Sequence, residues 1–183
     1  MKNLILLPAF ILFFSCCTKD DIKPQTAEEQ LTPATQTGAN TFSCLLDGKI
    51  FKPGVTNNSY QCFYQLVNGE YYFLVAGSNL NLQNSILTDI SIGTEKKSIS
   101  QGLTLQLIER GFGNSAGRYF VGNNFTGIIE NYYTSTVNTG ELKITKLSYN
   151  PNIVSGTFWF DVKDNQNVVH QIRDGRFDMQ FTQ

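Results

Sequence analysis

The chain has 183 residues, 41% of them hydrophobic, enough for one domain with a sizeable core. Its 14 basic and 15 acidic residues leave a formal net charge of -1. That balance excludes a broad electrostatic attraction to phosphate backbones or acidic lipids, and with it nucleic acid as a partner. The first element in chain order is a leader: Met1-Lys2 is a short positive start, and "NLILLPAFILFF" over residues 3–14 is apolar. A bilayer span needs about 20 apolar residues, so the run reads as an export signal rather than a permanent helix.

Leu12-Phe13-Phe14-Ser15-Cys16 resembles the lipobox of bacterial lipoproteins, in which apolar residues and one small residue precede a cysteine. The resemblance implies cleavage before that cysteine and acylation of its thiol, the nucleophile able to carry a thioether-linked diacylglycerol. Ser15 favours Cys16. Cys17 is the alternative, because "TKDD" after it is similar to the Lys-acidic-acidic signal by which Bacteroidota lipoproteins reach the cell surface. At about 0.8 kcal/mol per buried CH₂, two or three palmitate-length chains would hold the protein to a membrane by tens of kcal/mol. The implied home is the outer membrane, lipid-anchored and on the cell surface, or otherwise facing the periplasm.

Residues 18–40, "TKDDIKPQTAEEQLTPATQTGAN", are rich in Thr, Gln, Pro and acids and nearly lack aromatics, so they read as a disordered tether. A short helix over Thr26 to Leu31, bracketed by Pro24 and Pro33, is the alternative there. The resulting organisation is a signal peptide over 1–15, a tether over 16–40 and a β domain over 41–183.

From residue 41 the texture is period-2 alternation punctuated by Gly and Asn, the signal of half-buried strands. "TFSCLLDGKIFKP" places Phe42, Cys44 and Leu46 on one face and turns at Asp47-Gly48. In "YQCFYQLVNGEYYFLVAG" the Asn68-Gly69 pair predicts a type I′ turn, which sets Leu66 opposite Tyr71, Tyr64 opposite Phe73 and Cys62 opposite Val75. Further strands are predicted at 86–92, 103–108, 118–121, 126–133, 141–147, 154–162 and 168–181, the last divisible at Asp174-Gly175. About ten short strands predict an all-β antiparallel sandwich, with a β-barrel as the alternative.

"GELKITKLSYNPNIVSGTFWFDV", "HQIRDGRFDMQF" and the opening "NTFSCLLDGKIFKP" together resemble an uncharacterised family of Bacteroidota lipoproteins. Its members share a lipobox, a polar tether and a single β domain that opens with F-x-C-x-x-x-G-K and closes with G-T-F…G-R-F-D. The resemblance implies fold and location and brings no activity with it. Alternation turns Phe158, Phe160, Val162, Phe177, Met179 and Phe181 inward, and Thr157, Trp159, Asp161, Arg176, Asp178 and Gln180 outward. Gly156 and Gly175 read as bulge or turn positions.

Chemistry-bearing residues are sparse. The single histidine, His170, has no second histidine for a zinc shell and no G-x-S-x-G elbow to serve, and reads as a solvent-facing or edge-strand residue. Asp161, Asp164, Asp174 and Asp178 could supply the carboxylate pair of a glycan hydrolase, the enzymatic alternative, but acids at strand ends are usually solvated turn residues. "DVKDNQN" lacks the spacing of a calcium loop, and "GFGNSAG" reads as a long flexible loop rather than a phosphate cradle. Neither a metal nor a cofactor is expected. Cys44 and Cys62 face inward in a compartment that permits a disulfide; they form a bridge or two buried thiols. Trp159, turned away from the core, is the candidate ligand platform, extended by Tyr132 and Tyr133, unless it packs beneath a loop. The expected function is a non-enzymatic binding, accessory or structural β domain with an extracellular glycan or protein partner.

Overall fold

The computed structural model describes residues 25–54, 59–123 and 125–183. The expected signal peptide, Cys16, Cys17 and the start of the expected tether lie outside those residues. Among the described residues eleven strands follow in chain order: β1 Thr41–Leu46, β2 Lys49–Phe51, β3 Tyr60–Val67, β4 Glu70–Asn81, β5 Ile86–Thr94, β6 Thr104–Leu107, β7 Ser115–Asn123, β8 Ile128–Tyr133, β9 Gly140–Tyr149, β10 Asn152–Lys163 and β11 Val169–Gln180. They form two antiparallel sheets, ordered β2-β1-β11-β10-β9-β6 and β3-β4-β5-β7-β8. The sheets do not close on each other, so the domain is a sandwich and not a barrel. Among the described residues no helix is long and apolar enough to cross a membrane.

The two tight turns form where the residues permit positive φ: Asp47 and Gly48 at 51° and 76°, Asn68 and Gly69 at 52° and 82°. The second fixes the β3–β4 register, with Leu66 opposite Tyr71, Tyr64 opposite Phe73 and Cys62 opposite Val75. Between the sheets, Phe42, Phe73, Phe158, Phe160 and Phe177 are all but fully buried. Two glycines make room for these rings. A Cβ on Gly117 would lie 2.7 Å from the Phe160 ring, and one on Gly175 2.4 Å from that of Phe158. β11 is one strand rather than two. It absorbs an extra residue at Asp174 (φ 52°), where the register against β10 shifts opposite Phe158 and Phe160.

The stretch assigned to the tether is ordered where it is described. Thr26 and Glu29 cap each other reciprocally in a single turn, in place of the alternative short helix. Leu31 is buried, and the Thr32 N–H donates to Ser43 Oγ at 3.1 Å. Residues 35–39 then wrap one carboxylate. Asp178 Oδ2 accepts from Thr35 Oγ1 (2.6 Å), Thr37 N–H (2.9 Å) and Oγ1 (3.2 Å), and Ala39 N–H (3.2 Å). Oδ1 accepts from Gly38 N–H (2.8 Å) and Ser155 Oγ (2.8 Å). Asp178 is on the outward face of β11, as alternation requires, yet it is 1% exposed because the N-terminal segment covers it. Polar composition did not prevent order here, because ordering comes from hydrogen bonds to a fixed carboxylate rather than from apolar burial.

Candidate functional site

The outer face of the five-stranded sheet carries a groove that follows from the strand registers. One row across the sheet reads Phe63, Leu74, Gly93, Ala116; a parallel row reads Gln61, Ala76, Ser91, Arg118, Tyr133. All these residues point away from the core. Gly93 and Ala116, side by side on the neighbouring strands β5 and β7, leave a low floor. Phe63, Tyr72 and Leu74 stand above it on one side, and Arg110, Arg118 and Tyr133 on the other. The space between has a volume of about 720 Å³.

The polar wall is held in place by its own contacts. Arg118 Nη2 lies 2.6 Å from Asp89 Oδ1, its Nε donates to Ser91 Oγ at 3.1 Å, and its guanidinium sits 5.6 Å from the Phe120 ring centre. Asp89 is itself buried and accepts from Ser78 Oγ at 2.6 Å. Arg110 Nε lies 2.5 Å from Glu95 Oε1, and its guanidinium is 5.8 Å from the Tyr133 ring centre. Two cations and two carboxylates balance, so the groove presents fixed donors and acceptors without net charge. Planar hydrogen-bonding groups beside aromatic faces match a ligand that carries hydroxyls on one aspect and C–H groups on another.

The residues "GFGNSAG" contribute to this wall and are not a long flexible loop. Gly113 N–H donates to Glu95 O at 2.7 Å and Asn114 N–H to Gly111 O at 3.1 Å, and Ser115 to Gly117 already belong to β7.

The expected platform of Trp159, Tyr132 and Tyr133 is not assembled. Trp159 is 40% exposed on the outer face of the six-stranded sheet, with the Arg173 guanidinium 5.3 Å from its ring centre, beside a hollow of about 350 Å³. Tyr133 faces outward from the other sheet. Tyr132 faces the core, since consecutive strand residues point to opposite faces. Its ring lies 5.9 Å from Tyr119 and 6.3 Å from His170. Burial, aided by the hydrogen bond to Glu130, pushes its hydroxyl pKa up to about 12.

His170 is not solvent-facing. Its ring is turned inward at one end of the sandwich, 5.1 Å from Tyr119, with Nδ1 2.8 Å from Asp47 and Nε2 3.5 Å from Asp164. It clasps the β1–β2 turn and the loop after β10. The four carboxylates considered for hydrolysis sit in separate surroundings. Asp161 pairs with Arg173 at 2.6 Å, Asp164 accepts the N–H groups of Gln166 and Val168, Asp174 occupies the bulge, and Asp178 lies under the N-terminal segment. Among the described residues no group of three or more His, Cys, Asp or Glu side chains is placed to hold a metal ion. Cys44 and Cys62 are free thiols on opposite sheets. Burial raises both, Cys62 to about 12.

The groove residues carried one legible signal. In the β3–β4 hairpin the face opposite the core bears Phe63, Tyr72 and Leu74 among Gln61, Gln65 and Glu70, three large apolar side chains that a half-solvated hairpin does not need. Arg118 and Arg110 gave none, because their partners Asp89 and Glu95 join them only through the fold. No family model, curated protein or solved structure matches the chain.

Proposed function

We propose that this chain is a non-enzymatic binding protein, held by an N-terminal lipid at the outer membrane or cell surface, that takes an uncharged extracellular glycan in the groove on its five-stranded sheet. The observation that carries the reading is the row Phe63, Leu74, Gly93, Ala116, which sinks the centre of an otherwise two-layered surface between aromatic and arginine walls. Export and anchoring rest on the lipobox-like Ser15-Cys16.

The test is a glycan array probed with the parent protein, Ala116→Phe and Trp159→Ala. Ala116→Phe fills the floor without removing a hydrogen bond and is expected to abolish binding, while Trp159→Ala leaves it unchanged. The opposite pattern would move the site to the other sheet, and a parent that bound no glycan would end the glycan reading. Metabolic labelling with a palmitate analogue is expected to mark the parent and not a Cys16/Cys17 double replacement; an unmarked parent would refute the anchor.

A further inference from the structure

The end of the five-stranded sheet remote from the groove carries large apolar side chains in the open. The β4–β5 and β7–β8 hairpins lie side by side there, with Leu80, Leu87, Gly122 and Ile129 in one row and Asn81, Ile86, Asn123 and Ile128 in the next. Leu82 is 82% exposed, Phe125 78% and Ile129 73%, with Leu80 and Ile128 also exposed. Residues 79–88 and 119–129 contain no Asp, Glu, Lys or Arg. Several backbone N–H groups of these tips are satisfied locally: Asn81 Oδ1 accepts from Gln83 N–H, Asn84 Oδ1 from Ile86 N–H, and Asn123 Oδ1 from the N–H groups of Phe125 and Thr126. Such a tip enters a less polar medium at lower cost than a charged one, because no ionised side chain has to be stripped of water.

The β7–β8 tip also projects. Tyr119 packs on His170, which pairs with Val162 one residue short of the end of β10. Four further residues of β7 carry the chain about 13 Å past that level.

We propose that these two hairpin tips dip into the headgroup–acyl boundary of the bilayer that holds the protein's own lipid, so that the groove at the opposite end faces outward. The choice of a bilayer as the occupant rests on the lipid-anchor reading above. From Cys16 to Gln25 there are nine residues, which at full extension reach about 30 Å. The described chain begins against the middle of the six-stranded sheet, where Glu28 lies 3.9 Å from Arg176 and Arg176 pairs with Thr157. Six residues of β10 separate Thr157 from Lys163 at the end of the strand, about 20 Å. With the roughly 13 Å of projecting tip added and the roughly 5–10 Å by which a tip enters the boundary taken off, the bilayer surface lies about 25 Å away. The tether spans this when nearly extended, so it is too short to carry the domain far from the membrane. With a net charge of -1, insertion of apolar side chains is the available attraction rather than a basic patch.

The test uses the purified, acylated chain in phosphatidylethanolamine–phosphatidylglycerol vesicles with brominated acyl chains, which quench tryptophan at close range. In a Trp159→Phe background, tryptophan is placed by Leu82→Trp, by Ile129→Trp, or at the opposite end by Leu66→Trp. The first two are expected to be blue-shifted and quenched several-fold more than the third; equal quenching at all three would overturn the proposal. Adding Phe125→Asp to Leu82→Asp should keep the chain on vesicles and its melting temperature unchanged while quenching at Ile129→Trp is lost. Retained quenching would overturn it, as would a dimer in vesicle-free solution that Phe125→Asp dissolves. The mass of the attached acyl groups scores the anchor separately: an unacylated chain refutes the anchor, and tip quenching on added vesicles still decides the insertion.

Discussion

The outer face of the six-stranded sheet carries Ser43, Ser155 and Asp178, polar side chains that are all buried, whereas the outer face of the five-stranded sheet carries Phe63, Tyr72 and Leu74, half-buried, with no segment among the described residues laid over it. Alternation assigns both sets outward in the same way, and the difference lies in where the chain before β1 runs. A polar face attracts a polar strap, because Asp178 offers two charged oxygens to a segment full of unpaired N–H and hydroxyl groups. The aromatic face offers that segment nothing. An uncovered aromatic face costs apolar exposure, and the groove supplies a reason for it that the fold does not.

The largest effect is expected from uncovering the strapped face. Asp178→Ala removes the acceptor for six hydrogen bonds at a site closed to water, leaving buried donors without partners. Urea denaturation should show a loss of about 3–5 kcal/mol. Leu31 and residues 35–39 should gain fast amide exchange; a strap that stayed protected would show that the carboxylate does not hold it. Burial alone would raise the Asp178 pKa, but hydrogen bonds from Thr35, Thr37, Ser155 and Gly38 more than offset it and hold the carboxyl well below the usual range. A depressed folded-state pKa adds stability that is complete above the unfolded value, about 3.9, and drains away as pH falls through the folded one. The gap between the parent and Asp178→Asn should therefore stay constant above about pH 5 and narrow below about pH 4. A gap that widened on acidification would refute this assignment.

A smaller effect is expected on the open face. Arg118→Ala leaves Asp89 buried with Ser78 as its remaining partner. The pair is partly exposed on the arginine side, so the loss should be about 1–2 kcal/mol, below that at Asp178. Glycan binding should fall by far more than this, since the wall loses its fixed donor; a variant that bound as the parent does would remove Arg118 from the site.

The two faces also differ in how legible they were from residues alone. Turn chemistry and alternation suffice for the hairpins: Asn68-Gly69 demands positive φ, and the β3–β4 register follows by counting from it. The same local rules cannot say what lies on top of a sheet. Asp178 reads as a solvated strand residue until a segment about 140 residues earlier in the chain closes over it. His170 reads as an edge residue until Tyr119, from the other sheet, packs on its ring. The platform of Trp159, Tyr132 and Tyr133 fails on two counts: the strand period divides Tyr132 from Tyr133, and sheet membership, a long-range property, divides Trp159 from both.

The smallest effect is expected between the faces, where Cys44 on β1 and Cys62 on β3 look into the common core from opposite sheets. A bridge between them would close a loop of fewer than twenty residues and contribute about 3 kcal/mol by restricting the unfolded chain. For a domain of this size its reduction would lower the melting temperature by on the order of 10 °C. Both are free thiols whose pKa values burial has raised, so neither carries appreciable thiolate at neutral pH, and the thiolate is the form that attacks an oxidant or an alkylating reagent. Reductant should therefore shift the melting temperature by less than about 1 °C. Iodoacetamide should modify the folded protein at these positions only as fast as it unfolds. A reductant-sensitive melting transition, or a mass two hydrogens short over the Cys44 and Cys62 peptides, would show that the sheets are stapled and not merely packed.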